Sequence, residues 1–170
     1  MKQTLKYILS TLNENLRFAE AKHSVVIALD SAIIVFISGY LSGQTKLVIM
    51  LSCLTIIFSS ISLIFNFVAL LSRKIKYIKN QRYKENELNL IYYKHIINFS
   101  YEQYLLELKK QYNFPKDYKF DGLDYDLSKQ IIAVSNVTNL KFTFFNYSLI
   151  SLLISIFSTI LTITLVGLKI

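Results

Sequence analysis

Three stretches of the chain are nearly free of charge, and they alternate with stretches dense in it. Residues Val25–Leu41 number 17 and carry one charged side chain, Asp30; Leu47–Leu71 number 25 with none, and Phe142–Leu168 number 27 with none. A helix crossing a bilayer needs about 20 apolar residues, with tilt absorbing extra length. The pattern therefore predicts three transmembrane helices, the first starting below the membrane surface. The turn SGQTK, residues 42–46, joins the first two.

The predicted layout has four parts. Residues 1–24 form a polar amphipathic helix, and residues 25–71 a transmembrane hairpin. Residues 72–141 form a helical segment, and residues 142–170 the third transmembrane helix. No small-residue cleavage site follows a short apolar core, so removal of the N-terminal segment is not expected. Within the middle segment, Arg73 to about Tyr93 contains no Gly or Pro and is expected to prolong the second span as a stalk. Ser100 and Gln103 have the spacing of a capping box, opening a helix through about Tyr112. Pro115 and Gly122 break it, and a single helix is expected from Asp124 to Leu168.

Charge adds an orientation. Only 18% of residues are charged, against about 25% in soluble domains. The net charge is nevertheless +8. The basic residues are not spread evenly: four precede the first span and 13 lie between Arg73 and Lys141. Basic loops stay in the cytoplasm. The N-terminus and the middle segment are therefore expected inside and the C-terminus outside. Attraction to anionic headgroups or to a nucleotide is a second use for the same charges.

The spans also carry seams of small polar residues. Ser52, Thr55, Ser59, Ser62 and Asn66 are spaced 3, 4, 3, 4, and so are Ser148, Ser151, Ser155, Ser158 and Thr162. In the first span Ala21, Ser24, Ala28 and Ser31 do the same, with Ser38 one heptad beyond Ser31. This spacing suits close helix–helix approach in lipid. The seams either pack the helices of one protomer or face another subunit or a pore. Glu20, His23 and Asp30 share a face of the first helix. A carboxylate in a bilayer should face protein; Asp30 either lies close to interfacial water or pairs with His23.

The chemistry of an enzyme is missing. His23 and His95 lie in separate segments without metal-ligand spacing, and Cys53 sits in an apolar span where packing is the expected role. The acidic run DYKFDGLDYD lacks the spacing of a calcium loop, so helix capping by Asp121 or Asp124 explains it better. No catalytic residue and no metal site is expected. Tyr77, Arg82, Tyr83, Lys84, Tyr92, Tyr93 and Lys94 interleave rings with cations. That arrangement can stack a base and hold a phosphate, or anchor the chain at a membrane interface.

Three motifs together resemble the Pycsar effector transmembrane proteins. NENLRFAEAKHS, residues 13–24, is similar to the family's stretch before its first span, through Arg17, Phe18, Ala19, Lys22 and Ser24, with Glu20 as the acid. NLIYYKHIINFSYEQYL, residues 89–105, matches through Ser100, Glu102, Tyr104 and Leu105, with Lys94 in place of a glycine. DLSKQIIAVSNVTNLKF, residues 126–142, matches through Leu127, Gln130, Ile131, Ser135 and Lys141.

The resemblance implies a multi-pass effector of the bacterial inner membrane that acts in anti-phage defence. It would work with a nucleotide cyclase and be activated by cyclic CMP or cyclic UMP, with no other cofactor. It would then assemble as a homo-oligomer and impair the membrane, causing abortive infection; the bilayer is a partner, and DNA and RNA are not. Arg17 and Lys22 or Lys141 would meet the phosphate, Gln130 or Asp126 would read the base, and Glu20 belongs to the same set. Ion pairing between cytoplasmic helices is the other reading of these residues. Ser31, Ser52, Ser59, Ser62, Ser151, Ser155 and Ser158 are the expected packing or assembly positions. The alternatives are an effector of a related cyclic-oligonucleotide system, a non-sensing accessory subunit, or a holin-like pore-former. The long middle segment argues against the last.

Overall fold

The computed structural model describes residues 1–41, 45–71 and 88–168. The described residues are helical and contain no strand: α1 (Lys2–Ser38), α2 (Lys46–Leu71), α3 (Tyr93–Ile96), α4 (Tyr101–Gln111) and α5 (Gly122–Gly167). The expected amphipathic helix and first span form one continuous α1. The stalk expected over residues 73–93 falls largely outside the described residues; within them, 88–92 are not helical. There Asn89 Oδ1 accepts from the backbone N–H groups of Ile91 and Tyr92, at 2.9 and 3.2 Å, and holds a turn.

The chain divides into two units. One comprises Met1–Ala19 and Ser72–Lys141; the other comprises Glu20–Leu71 and Phe142–Ile170.

The first unit has an ordinary apolar core. Leu5, Ile8 and Leu12 recur at helical spacing on α1 and are buried, as are Leu90, Ile96, Tyr104, Leu105, Leu108 and Ile131. The Tyr104 hydroxyl donates to the carbonyl of Leu90 at 2.7 Å, which satisfies two buried polar groups at once. The expected capping box is present: Ser100 Oγ accepts from the Gln103 N–H, and Gln103 Oε1 accepts from the Ser100 N–H, each at 3.2 Å. Ser100→Ala should cost about 1 kcal/mol. Amide exchange in the first turn of α4 should rise accordingly.

α4 ends in a Schellman motif. Phe114 N–H donates to Lys109 O, and Asn113 N–H to Lys110 O. Asn113 takes the left-handed conformation this requires, at φ 51°. Lys109 Nζ then donates to the carbonyls of Lys116 and Tyr118, at 2.7 and 2.9 Å, and ties down the loop after Pro115. The acidic run caps α5. Asp121 Oδ1 accepts from the Asp124 N–H at 3.0 Å, and Asp124 Oδ2 accepts from the Asp121 N–H at 3.3 Å. α5 accordingly starts at Gly122, two residues before the expected Asp124.

The second unit is built the other way round, with polar residues inside. Of the seven buried residues of α2, five are Ser52, Thr55, Ser59, Ser62 and Asn66; only Val48 and Ala69 are apolar. Ser148, Ser151, Ser155, Ser158 and Thr162 are buried on α5. Val35, Ile64, Phe67, Ile150, Leu153 and Phe157 point outward and are more than half exposed. Such an arrangement suits lipid and is unfavourable in water, where the exposed apolar area would drive aggregation.

Candidate functional site

The seams of α2 and α5 interlock. Ser59 Oγ and Ser155 Oγ are 2.6 Å apart. Ser155 Oγ also lies 3.3 Å from Thr55 O, and Ser158 Oγ donates to Leu51 O at 3.0 Å. A serine reaches a neighbouring helix's backbone only where the two axes run close together. Lipid supplies no hydrophobic force between helices, so close packing and these hydrogen bonds hold the pair.

On α1 the packed stripe is not the small-residue one. Ala21, Ser24, Ala28, Ser31 and Ser38 are exposed within the chain, and the hydroxyls of Ser24, Ser31 and Ser38 donate to carbonyls of their own helix. His23, Val26, Asp30 and Ile37 are buried instead. The physical reason is the cost of leaving ionisable groups in hydrocarbon, which turns Asp30 and His23 toward partners. Asp30 is buried and is not paired with His23: its Oδ2 accepts from Ser62 Oγ at 2.6 Å. His23 Nδ1 donates to Asn66 Oδ1 at 2.5 Å, and Asn66 Nδ2 donates to Ser62 O at 2.9 Å. His23 also meets Phe145 edge-on, and Lys22 lies over the rings of Phe142 and Phe145, at 5.6 and 5.2 Å.

In the other unit the residues singled out for ligand contact have different settings. Arg17 is exposed on α1. Asp126 and Gln130 are exposed one helical turn apart on α5, and Lys129 sits 3.7 Å from Asp126. Lys141 is buried, at 3% exposure. Ser135 and Thr138, on the same side of α5, have buried hydroxyls without a hydrogen-bond partner. The structure thus brings Asp126 and Gln130 onto one face with Lys129 and sets Lys141 apart from them. Glu20 and Lys22 belong to the second unit and are partly buried there. Tyr77, Arg82, Tyr83 and Lys84 lie outside the described residues. Among the others of that series, Tyr92 is exposed and Tyr93 buried, their rings 4.8 Å apart.

Sequence reasoning missed a groove. It lies between the start of α4 and the first third of α5, holds about 380 Å³, and is lined by Phe99, Ser100, Tyr101, Lys129, Ile132 and Asn136. That volume lies within the usual range of ligand sites, about 300–1,000 Å³. The Lys129 ammonium stands 5.3 Å above the Tyr101 ring. A planar ring system can stack on Tyr101 while Lys129 meets one negative charge. A second hollow, about 470 Å³, is lined by Lys109, Lys110, Asn113, Phe114 and Lys116. Its Lys109 is committed to loop carbonyls. At the far end of this unit, Lys2 and Asp121 form an exposed ion pair of 2.5 Å. It holds the Asp121 carboxyl below the usual carboxylate range and raises the Lys2 ammonium. Its contribution is therefore present at neutral pH, falls away as acid protonates Asp121, and is weak because both groups are in water.

Three described helices, α1, α2 and α5, are long and apolar enough to cross a membrane, and two of them bury a polar seam. The protein is an all-helical, multi-pass membrane protein. The Pycsar effector protein domain matches residues 4–168, nearly the whole sequence, and the chain belongs to that family. Comparison with curated proteins and with solved structures gives no match. Family membership carries the role of a Pycsar effector and a functional pairing with a cyclase. Among the described residues no group of three or more His, Cys, Asp or Glu is placed to hold a metal ion.

Proposed function

We propose that this protein is the membrane-impairing arm of an anti-phage defence system, activated by a cyclic pyrimidine mononucleotide, cyclic CMP or cyclic UMP. The family match over residues 4–168 carries this reading. The first unit, N-terminus included, lies on the cytoplasmic side of the inner membrane, as its 16 basic residues favour, and the C-terminus lies outside. The nucleotide enters the groove at Tyr101 and Lys129. A cyclic mononucleotide carries a single negative charge, which suits a groove with one lysine, and its base suits the aromatic wall. Asp126 and Gln130 lie beside Lys129 on α5 and can reach the ligand's edge; Arg17, Glu20, Lys22 and Lys141 are the remaining candidates. Binding shifts the protein only if the ligand favours one of two conformations. The chain then assembles with further copies of itself and breaches the bilayer, which ends the infection with the death of the cell.

Calorimetry of the full chain in detergent tests the sensor role. Cyclic CMP or cyclic UMP should bind, and cyclic AMP should bind more weakly. Lys129→Ala should weaken binding by about tenfold, the equivalent of one charge-assisted contact, with the circular dichroism spectrum unchanged. No heat with any of the three nucleotides, on folded protein, would remove the sensor role from this chain.

A further inference from the structure

Asp30 is the one charged residue between Val25 and Leu41, and it is fully buried. One of its oxygens, Oδ2, accepts from Ser62 Oγ at 2.6 Å. The other, Oδ1, is sealed from solvent and has no partner. The surrounding elements bring no compensating charge. α2 beyond Lys46 has no charged side chain, and neither does α5 from Phe142 to Gly167. On α1 the nearest titratable groups are His23, Lys22 and Glu20, about two turns or more away along the helix. His23 is engaged with Asn66, and Lys22 lies against two phenylalanine rings. Cys53 and Tyr147, the titratable groups of α2 and of the membrane part of α5, are exposed. An ionised carboxylate with one oxygen unsatisfied and no counter-charge is strongly disfavoured in hydrocarbon.

We propose that the unpartnered oxygen of Asp30 is a binding site for one small monovalent cation, a proton or a sodium ion, held inside the three-helix unit. A proton on Oδ1 neutralises the group and leaves the Ser62 bond intact. A sodium ion would share Oδ1 with the Ser62 hydroxyl oxygen. Either way the bound cation removes the only net charge from the packed face of α1 in this span. Its loss leaves a carboxylate that water must enter the seam to solvate. The packed state of the membrane unit is thereby linked to cation occupancy, whether or not the groove at Lys129 binds a nucleotide.

The test uses the full chain in vesicles of phosphatidylethanolamine and phosphatidylglycerol, at neutral pH, in sodium and in choline buffers. Infrared spectra are taken of the wild type, Asp30→Asn and Ser62→Ala. If the cation is a proton, a protonated-carboxyl band is present in both buffers, absent from Asp30→Asn and displaced in Ser62→Ala. If it is sodium, that band is missing. Sodium then raises the thermal midpoint of the wild type with increasing concentration, but not that of Asp30→Asn. An ionised Asp30 in both buffers, with a midpoint indifferent to sodium, overturns the proposal and leaves an ordered water as the partner of Oδ1. Should Asp30→Asn fail to fold, the displacement between wild type and Ser62→Ala still assigns the band.

Discussion

Tyr104→Ala should destabilise the first unit by about 4 kcal/mol, the scale of truncating a large buried ring. Tyr104 lies on the buried face of α4, fully out of solvent, with its hydroxyl on the Leu90 carbonyl. Tyr104→Phe separates the ring from its hydroxyl. It keeps the packing but orphans the buried Leu90 carbonyl, at a cost of about 1–3 kcal/mol. Burial also pushes the Tyr104 phenol well above its ordinary range. The fold therefore favours the protonated form. That contribution is complete below pH about 10 and is lost as pH rises beyond it. Tyr104→Phe should remove that part of the alkaline loss. Amide exchange across α3 and α4 is the measurement. Unchanged protection in Tyr104→Ala would show that this core is not what holds the unit.

The second large effect belongs to the membrane unit. Ser155→Leu places a branched side chain where two hydroxyls stand 2.6 Å apart and α5 meets the backbone of α2. Overpacking typically costs about 1–3 kcal/mol, and the upper end applies because a backbone carbonyl, Thr55 O, lies at 3.3 Å. Ser59→Leu should behave alike. Ser31→Leu is the contrast: Ser31 is exposed within the chain, so monomer stability should stay within about 0.5 kcal/mol. Titration of the micelle-bound protein with a denaturing detergent reads all three. Equal midpoints for Ser155→Leu and Ser31→Leu would contradict the seam.

The hydrophobic pattern made the three spans legible, because a run of about 20 apolar residues has few other uses. The seams of α2 and α5 were legible for a similar reason: polar residues recurring at helical spacing in an apolar run have to be buried somewhere. On α1 the burial of ionisable groups outranks residue size within the chain. The small stripe 21, 24, 28, 31 and the packed stripe 23, 26, 30 differ by two positions, about 200° around a helix. Desolvation of Asp30 and His23 decides between them. The motif residues Ser100, Tyr104, Leu105, Leu127 and Ile131 serve as cap and core, so their presence speaks for the fold more than for a ligand. The groove could not be read from local pattern at all. Phe99–Tyr101 and Lys129–Asn136 stand about 30 residues apart, and only the packing of α4 on α5 makes them neighbours.

The inverted interior of the membrane unit has a thermodynamic corollary. When a soluble core opens, apolar surface meets water and the heat capacity rises. Here the outward apolar faces already rest in the solvent they prefer, and separating the helices would wet hydroxyls, an amide, an imidazole and a carboxyl. Hydration of polar surface lowers heat capacity. Opening this unit in a bilayer thus carries a small or negative heat-capacity change, and its free energy varies almost linearly with temperature. Its stability curve is therefore nearly straight, without the dome and the cold-side fall of a soluble core.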